Sequence, residues 1–274
     1  MAGPEDNIVA HYAQTDLFGT IMAAFEANGK TPEQIGLGDL KPIDEFHIGG
    51  FPATRALLDP LGFGSDTRVL DVGSGLGGTA RHMAHTYGAQ VTGVDLTPEF
   101  VETARKLSGL VGLDIRFEVG SALDLPFGDE SFDAATILHV GMNLPDKARL
   151  FSEVSRVLVP GGVFAVYDVM LKGRHPPFPL PWAEEPSFSF LEKPDEYLAA
   201  GEAAGFTCTH QAGKGEVAKA FFAEMQRRIA ESGPPAVGLP LLMGETAPQK
   251  AANMAQGVGS GDIEPVEMIF RKPG

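Results

Sequence analysis

The residues best suited to chemistry stand in "VLDVGSGLGGTAR", residues 69–81, where an apolar run is followed by four glycines within six positions. A backbone without side chains lets a ligand approach its amides closely, and Gly73, Gly75 and Gly78 satisfy the dinucleotide pattern G-x-G-x-x-G. On this pattern alone a nicotinamide or flavin cofactor is the first reading. Asp95 ends the next apolar run, twenty residues after Gly75. A carboxylate there can accept hydrogen bonds from both hydroxyls of a ribose. His139 directly follows the apolar run "FDAATIL" and is the candidate acid or base. These groups describe a nucleotide-like cofactor held at a strand end, with a titratable ring beside it.

To meet at one place, these residues need a parallel sheet. The segments "TRVLDV", "AQVTGVDL", "DIRFEV", "FDAATIL" and "VFAVYDV" read as strands. Between them, helices are expected over residues 79–87, from Pro98 behind an N-cap at Thr97, and over 146–158, where Leu150, Phe151, Val154, Val157 and Leu158 recur at helical spacing. The "PGG" at 160–162 is expected to turn the chain into the fifth strand. A helix over 194–204, a strand over 207–211 and an alternating final strand in "EPVEMIFRK" complete an α/β fold of seven strands, the last one antiparallel. Ligands of such sheets sit at the carboxyl ends of the strands.

Two regions fall outside the alternation. Residues 1–50 are expected to form an N-terminal helical lid with Ile8, Phe18, Ile21 and Phe25 on its apolar side, and residues 51–274 the main domain. Within the latter, 171–192 and 212–260 read as further lid segments, the second as an insertion between strands six and seven. Its helix is expected to be striped by Val217, Phe221, Met225 and Ile229, followed by a Gly/Pro-rich loop.

The formal charge of −15 repels a phosphate backbone, and no basic patch offsets it, so nucleic acid is not an expected partner. No apolar run approaches the roughly 18 residues of a membrane span, and the first residues carry no basic, apolar leader pattern. A cytoplasmic location is therefore expected. The single cysteine, Cys208, excludes an internal disulfide, and no His–carboxylate cluster has metal-ligand spacing.

Asp71 before the first glycine, "GSALDLPF" after the third strand, a helix ending in "VPGG" and an antiparallel final strand together resemble the class I S-adenosylmethionine-dependent methyltransferases. The resemblance implies a Rossmann-like sheet, S-adenosylmethionine as cofactor and S-adenosylhomocysteine as product. It implies that Gly73, Ser74 and Gly75 line the methionine part, with Asp71 ordering the turn. Asp95 would hold the ribose, Leu96 and Leu138 would pack beside the cofactor, and Ser121 and Ala122 would meet the adenine edge. Relatives usually carry an acidic residue at the position of Ser121, so the contact to the exocyclic amine is expected to be weaker here.

"HIGGFPATRALL" and "ILHVGMNLPDKARLF" resemble more closely the small-molecule N-methyltransferases of the phosphoethanolamine and sarcosine/dimethylglycine type. That likeness implies that His47, Gly49 and Gly50 contact the cofactor from the N-terminal segment, and that Tyr12 pairs with His139 to lock the site. Relatives place an amine-binding Asp four residues before the histidine, where this chain has Ala135. The proline-rich "RHPPFPLPWAEEPSFSFL" carries Phe178 and Trp182, which with Asn143 are the candidate substrate contacts. The expected activity is methyl transfer to a small molecule, at an amine nitrogen by modest preference, with an O- or C-methyltransferase as the alternative. A nicotinamide oxidoreductase and a non-catalytic cofactor-binding protein are the remote alternatives.

Overall fold

The computed structural model describes residue 5, residues 16–233, residue 235 and residues 237–274. Helices α1 (Leu17–Ala27), α2 (Leu37–Asp44) and α3 (Gly50–Leu58) precede the sheet. Then β1 (Arg68–Val72), α4 (Gly78–Tyr87), β2 (Gln90–Asp95), α5 (Pro98–Leu110), β3 (Arg116–Val119), β4 (Phe132–Leu138), α6 (Lys147–Val157) and β5 (Leu158–Leu171) follow in order. The chain ends with α7 (Pro194–Ala203), β6 (Thr207–Gly213), α8 (Gly215–Ser232), α9 (Pro240–Met243), α10 (Ala247–Ser260) and β7 (Ile263–Arg271).

The seven strands form one sheet in the order β3-β2-β1-β4-β5-β7-β6. β1 to β5 run parallel, whereas β7 lies antiparallel to both β5 and β6. Strand direction alternates the side chains, so Leu70 and Val72 face one side and Val69 the other. On the first side they meet α6 and α7, where Leu150, Phe151, Val154 and Tyr197 are fully buried. Each such aliphatic or aromatic side chain contributes about 1.5–3 kcal/mol. On the second side α3, α4 and α5 cover Val69, Ala134 and Tyr167. The order reverses between β1 and β4, which opens a crevice at their carboxyl ends.

Two further apolar clusters lie beyond the sheet. Leu17, Ile21 and Phe25 of α1 pack with Phe100 and Leu107 of α5, and the Leu17 amide donates to Glu99 Oε1 at 2.7 Å. Trp182 and Leu180 of the proline-rich segment pack with Phe222 of α8 and Met254 of α10.

Three local features differ from expectation. "PGG" does not precede the fifth strand but lies inside β5, which starts at Leu158 and shifts register against β4 between Phe132 and Ala134. Gly161 takes φ 78°, and a bulge there keeps the strand going. The stripe on α8 is shifted in part: Ala218 and Phe222 are buried and Phe221 and Met225 pack beside them, while Val217 and Ile229 are 47% and 42% exposed. The residues expected to form a Gly/Pro-rich loop include α10, whose buried face mixes Ala247, Met254 and Val258 with Lys250 and Asn253. Those polar residues mask the apolar period.

Candidate active site

The crevice at β1 and β4 is built from strand ends and the glycine turn. Gly73 takes φ 69°, and a Cβ there would lie 2.4 Å from Val140 Cγ2 in the loop after β4. Gly75 takes φ 52° with nothing within 4 Å of its Cβ position, so its bare backbone faces the open crevice. Gly78 serves packing instead, since a Cβ would strike Asp44 Cβ at 2.4 Å. Asp44 forms a buried ion pair with Arg81 of α4, which ties the N-terminal segment to the glycine turn.

Asp95 ends β2 with both oxygens anchored, accepting from the Gly75 amide and the Thr97 amide, each at 2.9 Å. Burial raises its carboxyl above the usual range. Asp71 accepts from Thr136 Oγ1 at 2.8 Å, and burial pushes it up to about 7. Among the described residues, five buried side-chain polar atoms have no partner. Four of them, on Asp71, Ser74, His139 and Asn143, belong to residues lining this crevice.

His139 sits at the turn after β4 with φ 54°, a strained value for a residue with a side chain. Its amide donates to the Tyr167 carbonyl at 2.7 Å, and the following amides of Val140 and Gly141 donate to Asp168. The ring stacks on Tyr167 with centroids 5.3 Å apart, and its Nε2 is unpartnered. Burial holds the imidazole well below 6.5, so it is neutral. His47 stands 5.8 Å from it, centroid to centroid, and burial lowers its value to about 4. Thr54 Oγ1 donates to Glu45 Oε2 at 2.8 Å and lies 2.9 Å from His47 Nε2. Glu45 Oε2 also lies 3.4 Å from His47 Nε2, and burial pushes the Glu45 carboxyl up to about 7.

His47, Asp71, Gly73, Ser74, Gly75, Asp95, Leu96, Ala122, Leu138 and His139 line this crevice together. Asn143, expected to touch substrate, lines it too, and its Nδ2 donates to the Val140 carbonyl. Ser121 is turned aside: its hydroxyl donates to Glu5, and Glu5 is what lines the crevice. Gly49 and Gly50 do not line it. They open α3, where a Cβ on Gly49 would lie 2.8 Å from Ala53 Cβ, and they face the side chains of Val217 and Phe221 on α8. Tyr12 lies outside the described residues, as does Ile8. The tyrosine found against His139 is Tyr167, whose hydroxyl donates to the Ile48 carbonyl at 3.0 Å.

A second cavity adjoins the first and shares Phe46, His47 and His139 with it. Trp182 lines it together with Met142, Phe222 and Met254. Phe178 packs into the surrounding cluster but does not line the cavity. Sequence reasoning missed Asp44, Glu45, Tyr167 and Leu242. The acidic pair next to "FHIGG" and a tyrosine at the carboxyl end of the fifth strand were the signals available for the first three.

Residues 70–166 match the family model of the methyltransferase domain. Methyltransferase GfsG of Streptomyces halstedii is 34% identical over 137 residues, covering 49% of this chain and 49% of that protein. The chain therefore spans about half the length of this relative, and less of others. Curated relatives include proteins named as O-, C- and N-methyltransferases. Among solved structures, a sarcosine dimethylglycine methyltransferase from Galdieria sulphuraria superposes with TM-score 0.67 at 18% identity, over 94% of this chain and 99% of that one. A phosphoethanolamine N-methyltransferase from Haemonchus contortus, bound to S-adenosylhomocysteine, gives TM-score 0.70 at 20% identity, over 100% of this chain and 61% of that one. The stretch matching the methyltransferase domain holds Asp71, Asp95 and His139 but stops at Val166, so Trp182, α8 and α10 lie beyond it. No described helix is long and apolar enough to cross a membrane.

Proposed function

We propose that the protein transfers the methyl group of S-adenosylmethionine to a small-molecule acceptor and releases S-adenosylhomocysteine. The observation that carries this reading is the concentration of unpartnered buried polar atoms in one crevice at the sheet's reversal point. Buried polar groups are almost always hydrogen-bonded, so such a set fits a polar ligand. When bound, the cofactor supplies a methyl group already activated on a sulfonium.

The chain's own residues then have separate tasks. Asp95, fixed by two amides, presents its remaining lone pairs to ribose hydroxyls. Gly73 and Gly75 let the amino-acid end approach the backbone, within reach of Asp71 Oδ2 and Ser74. Leu96, Ala122 and Leu138 provide apolar contact for the adenine, and Glu5 brings beside Ser121 the carboxylate which that position lacks. Alignment of acceptor and cofactor in a dry site supplies roughly 7–11 kcal/mol. His139, neutral and with a free Nε2, takes the proton that the acceptor gives up.

Ala135 of β4, standing where relatives bind an amine, is buried in the core between sheet and α6 rather than in either cavity. An amine fits here as a free base. Incubation with S-adenosylmethionine and an acceptor library, followed by release of S-adenosylhomocysteine, tests the reading. Turnover with at least one small acceptor is expected, and absence of cofactor binding by calorimetry would refute it.

A further inference from the structure

The second cavity identifies a class of acceptor, an inference that rests on the reading above for its partner site. It meets the cofactor crevice at His47 and His139, so whatever fills it has its reacting end there. Away from that junction its walls are Trp182, Phe221, Phe222, Met225, Met243 and Met254. Among its described lining residues there is no Asp, Glu, Lys or Arg. The ionisable groups behind these walls are already engaged. Lys250 is buried, donates to the Met243 carbonyl and pairs with Glu184 at 2.6 Å. Glu45 accepts from Thr54. The indole N–H of Trp182 donates to Ser189 Oγ at 3.0 Å, which leaves only ring surface towards the cavity.

We propose that the acceptor is an uncharged molecule with an apolar body, held by methionine and aromatic surface, and with a polar anchor at the two histidines. A charged ligand would lose its hydration and find no opposite charge among the described lining residues, a cost that thioether and ring contacts do not offset. Unbranched methionine side chains adapt to an irregular apolar shape. The rival reading is a quaternary or protonated amine held on the faces of Trp182 and Phe221 by cation–π attraction.

Trp182 is the chain's sole tryptophan, so its emission reports on this cavity. Decahydro-2-naphthol, the corresponding primary ammonium and the corresponding carboxylate share one apolar body and do not absorb where tryptophan does. Titrated at pH 7.5 into protein with S-adenosylhomocysteine, the alcohol is expected to shift the emission with a Kd at least about tenfold below those of both charged probes. Met225→Glu, at a partly exposed position on α8, places a carboxylate in the wall and is expected to bring the ammonium above the alcohol. An ammonium or carboxylate that matches the alcohol on the unaltered protein overturns the proposal. So does an absence of any emission change, or a Met225→Glu protein that gains nothing for the ammonium. Calorimetry of S-adenosylhomocysteine on the same samples reads the cofactor site separately, so failure there refutes the methyl-transfer reading while the ranking of probes still stands or falls by itself.

Discussion

The cofactor crevice and the acceptor cavity touch at two histidines yet are made of different material. The crevice is strand ends, glycines and backbone amides fixed by sheet pairing, as in Gly75 donating to Asp95 across 2.9 Å. The cavity is side chains of Trp182, α8 and α10, elements joined to the sheet by loops. A site set by backbone geometry admits few sequences, whereas one set by side-chain packing admits any set of similar volume. The family match covers most of the crevice's strand ends and stops at Val166, before Trp182, α8 and α10, which supply much of the cavity's wall.

The largest effect expected from breaking the junction is on turnover. His139→Ala should lower it by about 10²–10⁴ and leave S-adenosylhomocysteine affinity within a few-fold, because the ring serves the proton and not the cofactor. Full turnover would reduce His139 to packing against Tyr167. On the crevice side, Asp95→Ala removes charge-assisted hydrogen bonds worth roughly 1.5–3 kcal/mol each. Cofactor affinity should fall at least about tenfold, with the ranking of acceptors unchanged. Undiminished binding by calorimetry would take Asp95 out of the site. On the cavity side the same logic runs in reverse: Trp182→Ala should raise the acceptor KM several-fold and leave cofactor binding intact. An unchanged KM would move the acceptor elsewhere.

The two regions also differ in how far the sequence announced them. β1, β2 and β4 were legible as short apolar runs, and Asp71, Gly73, Gly75, Asp95 and His139 were legible because each occupies a strand end or the turn after one. The lid was less so. Lys250 and Asn253 on the buried face of α10 break its apolar period, and of the stripe expected on α8 the fold buries Phe221 and Met225 in part while Val217 and Ile229 stay exposed. Glu45 and Thr54 orient His47 through tertiary contact between α2's end and α3, for which local spacing gives no sign. Gly49 and Gly50 read as ligand contacts, but the glycine pair lets α3 start against Ala53 and lie beside α8.

A further expected effect sharpens the contrast through pH. Asp71 is fully enclosed on the crevice side, and burial raises its carboxyl from 3.8 to about 7. The folded state therefore holds its proton more tightly than the unfolded chain does. Its contribution to stability is fully present below 3.8 and is lost as pH rises through about 7. His47 works in the opposite direction, since its value falls from 6.5 to about 4, and its contribution is lost as pH drops through about 4. The two overlap in the unaltered protein, so a single melting curve against pH does not separate them. Asp71→Asn does, because the amide can still accept from Thr136 Oγ1 and cannot titrate. Without ligand, the variant's Tm relative to the unaltered protein should climb between pH 4 and 7 and then stay level, by about 2–4 °C for each kcal/mol. A difference that is flat across that range would mean that Asp71 ionises in the folded protein as it does in water, and that the crevice around it is wet.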